Sequence, residues 1–215
     1  MRTIVPAMQT ATPSSRTRPT QRGFTLMELM VTLGVIGVLM TIAVPTMRTF
    51  SQNNRLSGAA NDLLRSFQVA RSEAIKRQVI GGSVIVCASS NPTATNPTCS
   101  YGAFRGWIVA EDTNNNWQHD STEPVIERHE LVDSTITVNT DRNGIESFNR
   151  YGFANPDGTK NGSRNIVFCD KRGSQTIGSS SVVRAMLIHQ TGRVRISRDP
   201  TDVSNALTAT SGTCP

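Results

Sequence analysis

Nothing in this sequence is arranged for catalysis. The three histidines, His119, His129 and His189, are scattered without a nucleophile-centred or metal-binding motif, and no glycine-rich phosphate loop is present. The four cysteines, Cys87, Cys99, Cys169 and Cys214, lack the C-x-x-C spacing of redox or zinc sites. Acid is missing ahead of Gly23, where Arg2, Arg16, Arg18 and Arg22 stand alone and supply most of the formal net charge of +6. Whole-chain basicity is therefore a poor argument for nucleic acid, and only local clustering can count.

What the chain does have is a long apolar run. Gly23 to Met47 reads GFTLMELMVTLGVIGVLMTIAVPTM, with Glu28 as its only charge. As a helix, Phe24 to Val44 would be about 31 Å long, enough to cross a hydrocarbon core. Cationic residues before the run predict a front end that stays cytoplasmic. A secretory signal peptide would have a shorter core closed by a small-residue cleavage site, and neither feature is found. A plain anchor would not carry Glu28, because an acid within a span is costly and ordinarily has a partner.

The stretch Arg22-Gly23-Phe24-Thr25-Leu26-Met27-Glu28 resembles the processing site of type IV pilins and pseudopilins. The resemblance implies cleavage between Gly23 and Phe24 by a prepilin peptidase, N-methylation of Phe24, and retention of the apolar helix. It also implies that Glu28 meets the N-terminal amine of a neighbouring subunit. Neither charge could stay unpaired between packed helices, so the two would neutralise each other.

Beyond Pro45, apolar or small residues recur at Leu56, Ala59, Ala60, Leu63, Leu64, Phe67, Ala70, Ala74 and Ile75, at helical spacing. One helix from about Phe24 to Gln78 is predicted, about 80 Å long and kinked or locally unwound at Pro45. Gly81-Gly82 ends it. Short β-rich runs follow: Ser83–Ala88, Gly106–Glu111, Pro124–Glu130, Thr135–Val138, Glu146–Phe148, Asn165–Cys169, Val182–His189 and Val194–Ser197. Asn, Gly, Asp and Ser clusters between them predict one antiparallel sheet of hairpins. The fold class is α+β: a long N-terminal transmembrane helix packed on an antiparallel β-sheet head, which is the type IV pilin fold.

Ala70-Arg71-Ser72-Glu73-Ala74, Gly106-Trp107-Ile108-Val109 with its Asp/Asn loop, and Gly192-Arg193-Val194-Arg195 are similar to minor pilins of the GspH/FimT type. The expected organisation is a cleaved leader over residues 1–23, a transmembrane and assembly half-helix over 24–50, and a periplasmic head over 51–215. Implied partners are the prepilin peptidase, other major and minor pilins, and the inner membrane. No cofactor is implied. Of three possible cysteine pairings, Cys87–Cys99 would close a local Asn/Pro/Thr loop and Cys169–Cys214 would tie down the tail. An oxidising periplasm favours these disulfides over free thiols.

Two further stretches invite functional readings. Asp112, Asn114, Asn116, Asp120 and Glu123 fall at the oxygen-ligand positions of an EF-hand-like calcium loop. Trp117 stands where the sharp turn needs glycine, and a structural hairpin loop is the preferred reading. From Lys160 to Arg198, eight cations (Lys160, Arg164, Lys171, Arg172, Arg184, Arg193, Arg195, Arg198) face one acid, Asp170. In DNA-uptake pilins of the FimT type a Gly-Arg-x-Arg motif carries DNA binding, and Gly192, Arg193 and Arg195 match it. A basic strand edge that guards against edge pairing is the competing reading. No aromatic lies nearby in sequence, which argues against single-strand readout. Three functions compete: assembly or priming of a type IV pilus, DNA uptake, and a type II secretion pseudopilus.

Overall fold

The computed structural model describes residues 23–78, 80–100, 105–131, 133–141, 145–154 and 164–215. Two compact units are present, Met1–Thr46 and Met47–Pro215. Helix α1 is Leu26–Arg77. Its first turn is capped by Thr25, whose hydroxyl oxygen accepts the Glu28 backbone N–H at 3.1 Å. Thr25-x-x-Glu28 has the spacing of a capping box, and an acid in the first turn favours the helix dipole. Of the kink or local unwinding expected at Pro45, the unwinding does not occur, and the helix continues through it. The Thr46 hydroxyl donates to the carbonyls of Ile42 and Ala43 there.

In the first unit, the large apolar residues from Phe24 to Val44 lie exposed, Phe24 at 83%. The eighteen-residue apolar window of α1 has a mean hydropathy of 2.2 and none of it is buried.

Among the described residues, the second unit contains two four-stranded antiparallel sheets, rather than the single sheet expected, and a two-stranded ribbon. The first sheet has the order β3 (Val125–Glu130), β2 (Gly106–Asp112), β1 (Ser83–Ser89), β5 (Ile145–Phe148). The second has the order β10 (Val194–Ser197), β9 (Arg184–Ile188), β6 (Arg164–Cys169), β4 (Thr137–Thr140). The ribbon is β7 (Thr176–Ile177) with β8 (Ser180–Ser181). Pairing in the second sheet joins strands far apart in sequence, so run lengths alone could not divide the strands between sheets.

Side-chain alternation explains why both faces of each sheet are buried. Val84, Val86, Trp107, Val109 and Phe148 of one sheet, with Ile166, Phe168, Met186 and Ile188 of the other, share a core with Leu56, Leu63 and Phe67 of α1. The alternate residues Ile85, Cys87, Ile108 and Ala110 face a second cluster with Cys99 and Trp117. Val167, Cys169, Ala185 and Leu187 face a third with Val203 and Ala206. Those last two residues belong to α2, Pro200–Thr210, which the sequence reading missed. Its signal was present: the Asp199 carboxylate accepts from the Thr201 and Asp202 amides, and Pro200 opens the helix. Disulfides join Cys87 to Cys99 and Cys169 to Cys214. The second ties the segment after α2 to β6.

One polar chain crosses the main core. Trp107 Nε1–H donates to Ser66 Oγ at 2.9 Å, and the Ser66 hydroxyl donates to Glu127 Oε2 at 3.0 Å. His129 stacks on Trp107 with ring centroids 5.1 Å apart. Ser66 is fully buried, so its loss would remove the hydrogen bond that the indole N–H makes to it. Ser66→Ala should destabilise the fold by about 1–3 kcal/mol. The check is guanidinium unfolding followed by tryptophan fluorescence, in which the midpoint drops and the slope stays constant.

Candidate functional site

The basic stretch does not form one surface. Arg164 is buried and pairs with Glu146 at 3.1 Å. Arg184 is 3% exposed, and its guanidinium donates to Ser57 Oγ and to the Val182 carbonyl. Burial first, then the neighbouring Arg198 and Arg172, push its pKa down to about 10. Arg172 is clamped on Asp170 and also reaches Asn53 of α1 at 2.8 Å. Arg184 and Arg172 hold the helix against the second sheet, whereas Arg164 joins β6 to β5 of the first. Arg198 donates through Nε to the Ser181 carbonyl at 3.3 Å. Lys160 lies outside the described residues.

Arg193 and Arg195 remain accessible, and the structure brings them together at an edge strand. Val194 and Ile196 of β10 turn toward the core while Arg193 and Arg195 are exposed. Arg195 Nη2 pairs with Asp202 of α2 at 3.1 Å. Asp202, absent from the sequence reading, is the residue that qualifies the Gly-Arg-x-Arg motif. Arg193 has no acidic partner among the described residues. Gly192 makes the turn between β9 and β10 with φ +76°, and its N–H donates to the His189 carbonyl at 2.9 Å. A Cβ at Gly192 would collide with the Gly152 carbonyl oxygen and lie 3.0 Å from Arg71 Nε. Glycine is required there both for conformation and for space.

The oxygen-rich loop after β2 spends its carboxylates on its own backbone. Asp112 is buried and accepts the Asn116 and Trp117 amides at 3.1 and 3.0 Å. Burial raises its pKa, and those amides oppose the rise. Glu123 accepts the Thr113 amide and hydroxyl and the Asp120 amide. The amides of Asn114 and Asn116 both donate to Asp120 Oδ2 at 2.9 Å. Trp117 occupies the turn position with φ +62°. The ligand-like spacing therefore describes a self-bonded hairpin loop, and no cluster of metal-ligating side chains occurs among the described residues. His119 is half-buried rather than solvent-exposed. Its ring nitrogens reach the Pro97 and Glu123 carbonyls, joining this loop to the segment closed by Cys87–Cys99.

Residues 59–200 match the family described as Type II transport protein GspH, and residues 18–44 match the prokaryotic N-terminal methylation motif. The chain belongs to the GspH family. Within this family and fold the chain is a structural subunit of the type IV pilin and pseudopilin kind, not an enzyme. The methylation motif implies processing by a prepilin peptidase and assembly with other pilins. The chain is 26% identical over 187 residues to the pilin-like protein PilA1 of Thermus thermophilus, covering 82% of this chain and 99% of that one. It is 38% identical over 58 residues to the type IV major pilin protein PilA of Myxococcus xanthus, covering 27% of this chain and only 26% of that pilin. The solved type IV minor pilin FimU of Pseudomonas aeruginosa aligns with a TM-score of 0.44 and 19% identity, over 69% of this chain and 92% of FimU.

Two carboxylates paired with arginines in the second unit titrate low. Hydrogen bonding from Ser197, then Arg195, holds Asp202 below the ordinary 3.8. At Asp170 burial pushes upward, but the bonds from Arg172 outweigh it and the net shift is downward from 3.8. A carboxylate depressed in the folded state stabilises above its unfolded pKa, and this contribution is lost as pH falls through the folded value. Stability of the GspH-family chain should therefore decline below pH 3.8. Asp170→Asn should flatten that acid limb while lowering stability at neutral pH, as read by thermal unfolding across pH.

Proposed function

We propose that the chain is a minor pilin, incorporated into a type IV pilus and helping to initiate or cap its assembly. The observation that carries this reading is the exposed apolar surface of α1 from Leu26 to Met47. A surface of that extent needs cover. A bilayer provides it before assembly, and neighbouring helices provide it in the filament. Residues 1–23 are the leader, 24–50 the membrane and assembly half, and 51–215 the periplasmic head. The Phe24 amine, freed by cleavage after Gly23, is neutralised by Glu28 of an adjoining subunit. A capping role at the helix start does not compete with this, because the Glu28 backbone serves Thr25 while its side chain stays exposed.

Mass spectrometry of cell envelopes should find a mature chain beginning at N-methylated Phe24. Glu28→Ala should leave cleavage and membrane insertion intact but reduce the subunit in sheared filaments by about tenfold or more, given the cost of an unpaired buried amine. An intact leader, or normal incorporation of the variant, would sink the reading. A type II secretion pseudopilus uses the same leader and helix, and the family description favours weighing it. Deleting the gene separates the two: lost export of folded enzymes with normal twitching supports the pseudopilus.

DNA binding is a second reading, supported by Arg193, which is exposed and has no acidic partner among the described residues. Arg195 contributes less while Asp202 holds it. Arg193→Gln with Arg195→Gln should weaken duplex binding by the full chain in uncharged detergent. It should also reduce the dependence of log affinity on log salt by about one to two. Unchanged binding would remove this reading.

A further inference from the structure

A groove of about 440 Å³ runs between α1 and the start of β10, lined by Phe67, Gln68, Arg71, Ile75, Arg193 and Val194 among others. Its charge is of one sign. Arg71 comes from the helix and Arg193 from the turn before β10, and no acid is among the lining residues. Neither arginine belongs to an ion pair among the described residues. Arg71 Nε is buried and has no hydrogen-bond partner among the described residues. A buried donor in that condition costs stability until an acceptor reaches it.

The backbone packs closely around this guanidinium. A Cβ at Gly152 would lie 3.1 Å from Arg71 Nε, and one at Gly192 would lie 3.0 Å from the same nitrogen. Both glycines have φ of +76°. The Ala154 N–H donates to the Gln190 carbonyl at 2.9 Å, which fastens the segment after β5 beside the β9–β10 turn. Two turns therefore wall Arg71 in, yet its Nε–H finds no acceptor in either. Phe67, Ile75 and Val194 add apolar wall, and Ile75 is 44% exposed.

We propose that this groove receives an acidic segment of an adjoining pilin. Arg71 and Arg193 take its carboxylate, and an apolar side chain beside that acid packs on Ile75 and Val194. Guanidinium groups suit carboxylates because two N–H donors can meet both oxygens. A cavity of this size holds an acid together with an apolar neighbour. A sugar–phosphate backbone would answer the charge but would bring no apolar group to Ile75 and Val194. The inference rests on the minor-pilin reading, and it names the surface and the chemistry by which the second unit meets a neighbour.

The test places the photo-crosslinker p-benzoylphenylalanine at Gln68, an exposed residue of the groove, in the full chain within cells. Conjugates from sheared filaments should map, by mass spectrometry, to a stretch of another pilin with Asp or Glu beside an apolar residue. Arg71→Gln with Arg193→Gln should lower their yield by about tenfold, the scale of losing charge-assisted hydrogen bonds. Arg71→Glu should abolish them, and lysine in place of the mapped acid should restore them. Arg71→Met should leave the urea midpoint of the full chain in uncharged detergent unchanged or raised, because no partner within the chain is lost. A fallen midpoint would make Arg71 a brace of the fold and overturn the proposal. Conjugates to a stretch without acid, or a yield indifferent to charge, overturn it as well. If Arg71→Gln alone weakens duplex binding as much as Arg193→Gln does, the groove serves phosphate and the proposal falls. Filaments that contain the chain but no such conjugate defeat this inference alone. Filaments that lack the chain remove the minor-pilin reading with it.

Discussion

Burial of one helical stripe organises the second unit. Leu56, Ala60, Leu63, Phe67, Ala70 and Ala74 recur at alternating spacings of four and three, and each is at most 2% exposed. The large side chains fill the space between two sheets, and each fully buried Leu or Phe is worth roughly 1.5–3 kcal/mol. The alanines allow close approach. Both sheets answer with period-two alternation, so every strand has an apolar face for the helix. Ser66 is the polar exception in this stripe, and it is satisfied on both sides by Trp107 and Glu127.

Alternation alone would leave the opposite faces of the sheets wet, yet they are apolar and covered. On the first sheet the cover is the segment closed by Cys87–Cys99 together with the loop carrying Trp117. On the second it is α2, secured by Cys169–Cys214. The disulfides thus act where the covering layer is thin and has little core of its own. The first unit has the opposite character. Its large apolar residues lie exposed among the described residues.

Most elements were legible because their signals are local. Helical spacing placed α1 within about two residues at each end, and the longer strands followed from β-rich runs between turn residues. For the oxygens from Asp112 to Glu123 a structural hairpin loop is the preferred reading, and their carboxylates turn inward to amides only four to ten residues away. Misreading occurred where the deciding contact is distant. The run of cations after Lys160 reads as one surface, but Arg164 and Arg184 are core residues and Arg172 is a brace to α1. The α2 signal at Asp199-Pro200 was local and was overlooked beside the arginine motif.

The sequence by itself determined the class of this protein, because a charge-poor run with one acid behind a basic front can be read without knowing any contact. It also determined which residues repeat at helical or strand spacing. Only the tertiary structure decided which arginines face solvent, which acid holds Arg195, and that Gly152 stands beside Gly192. Periodicity is set by bonds between neighbours in the chain. Site composition is set by pairings across tens of residues, and these exist only once both sheets have closed on the helix.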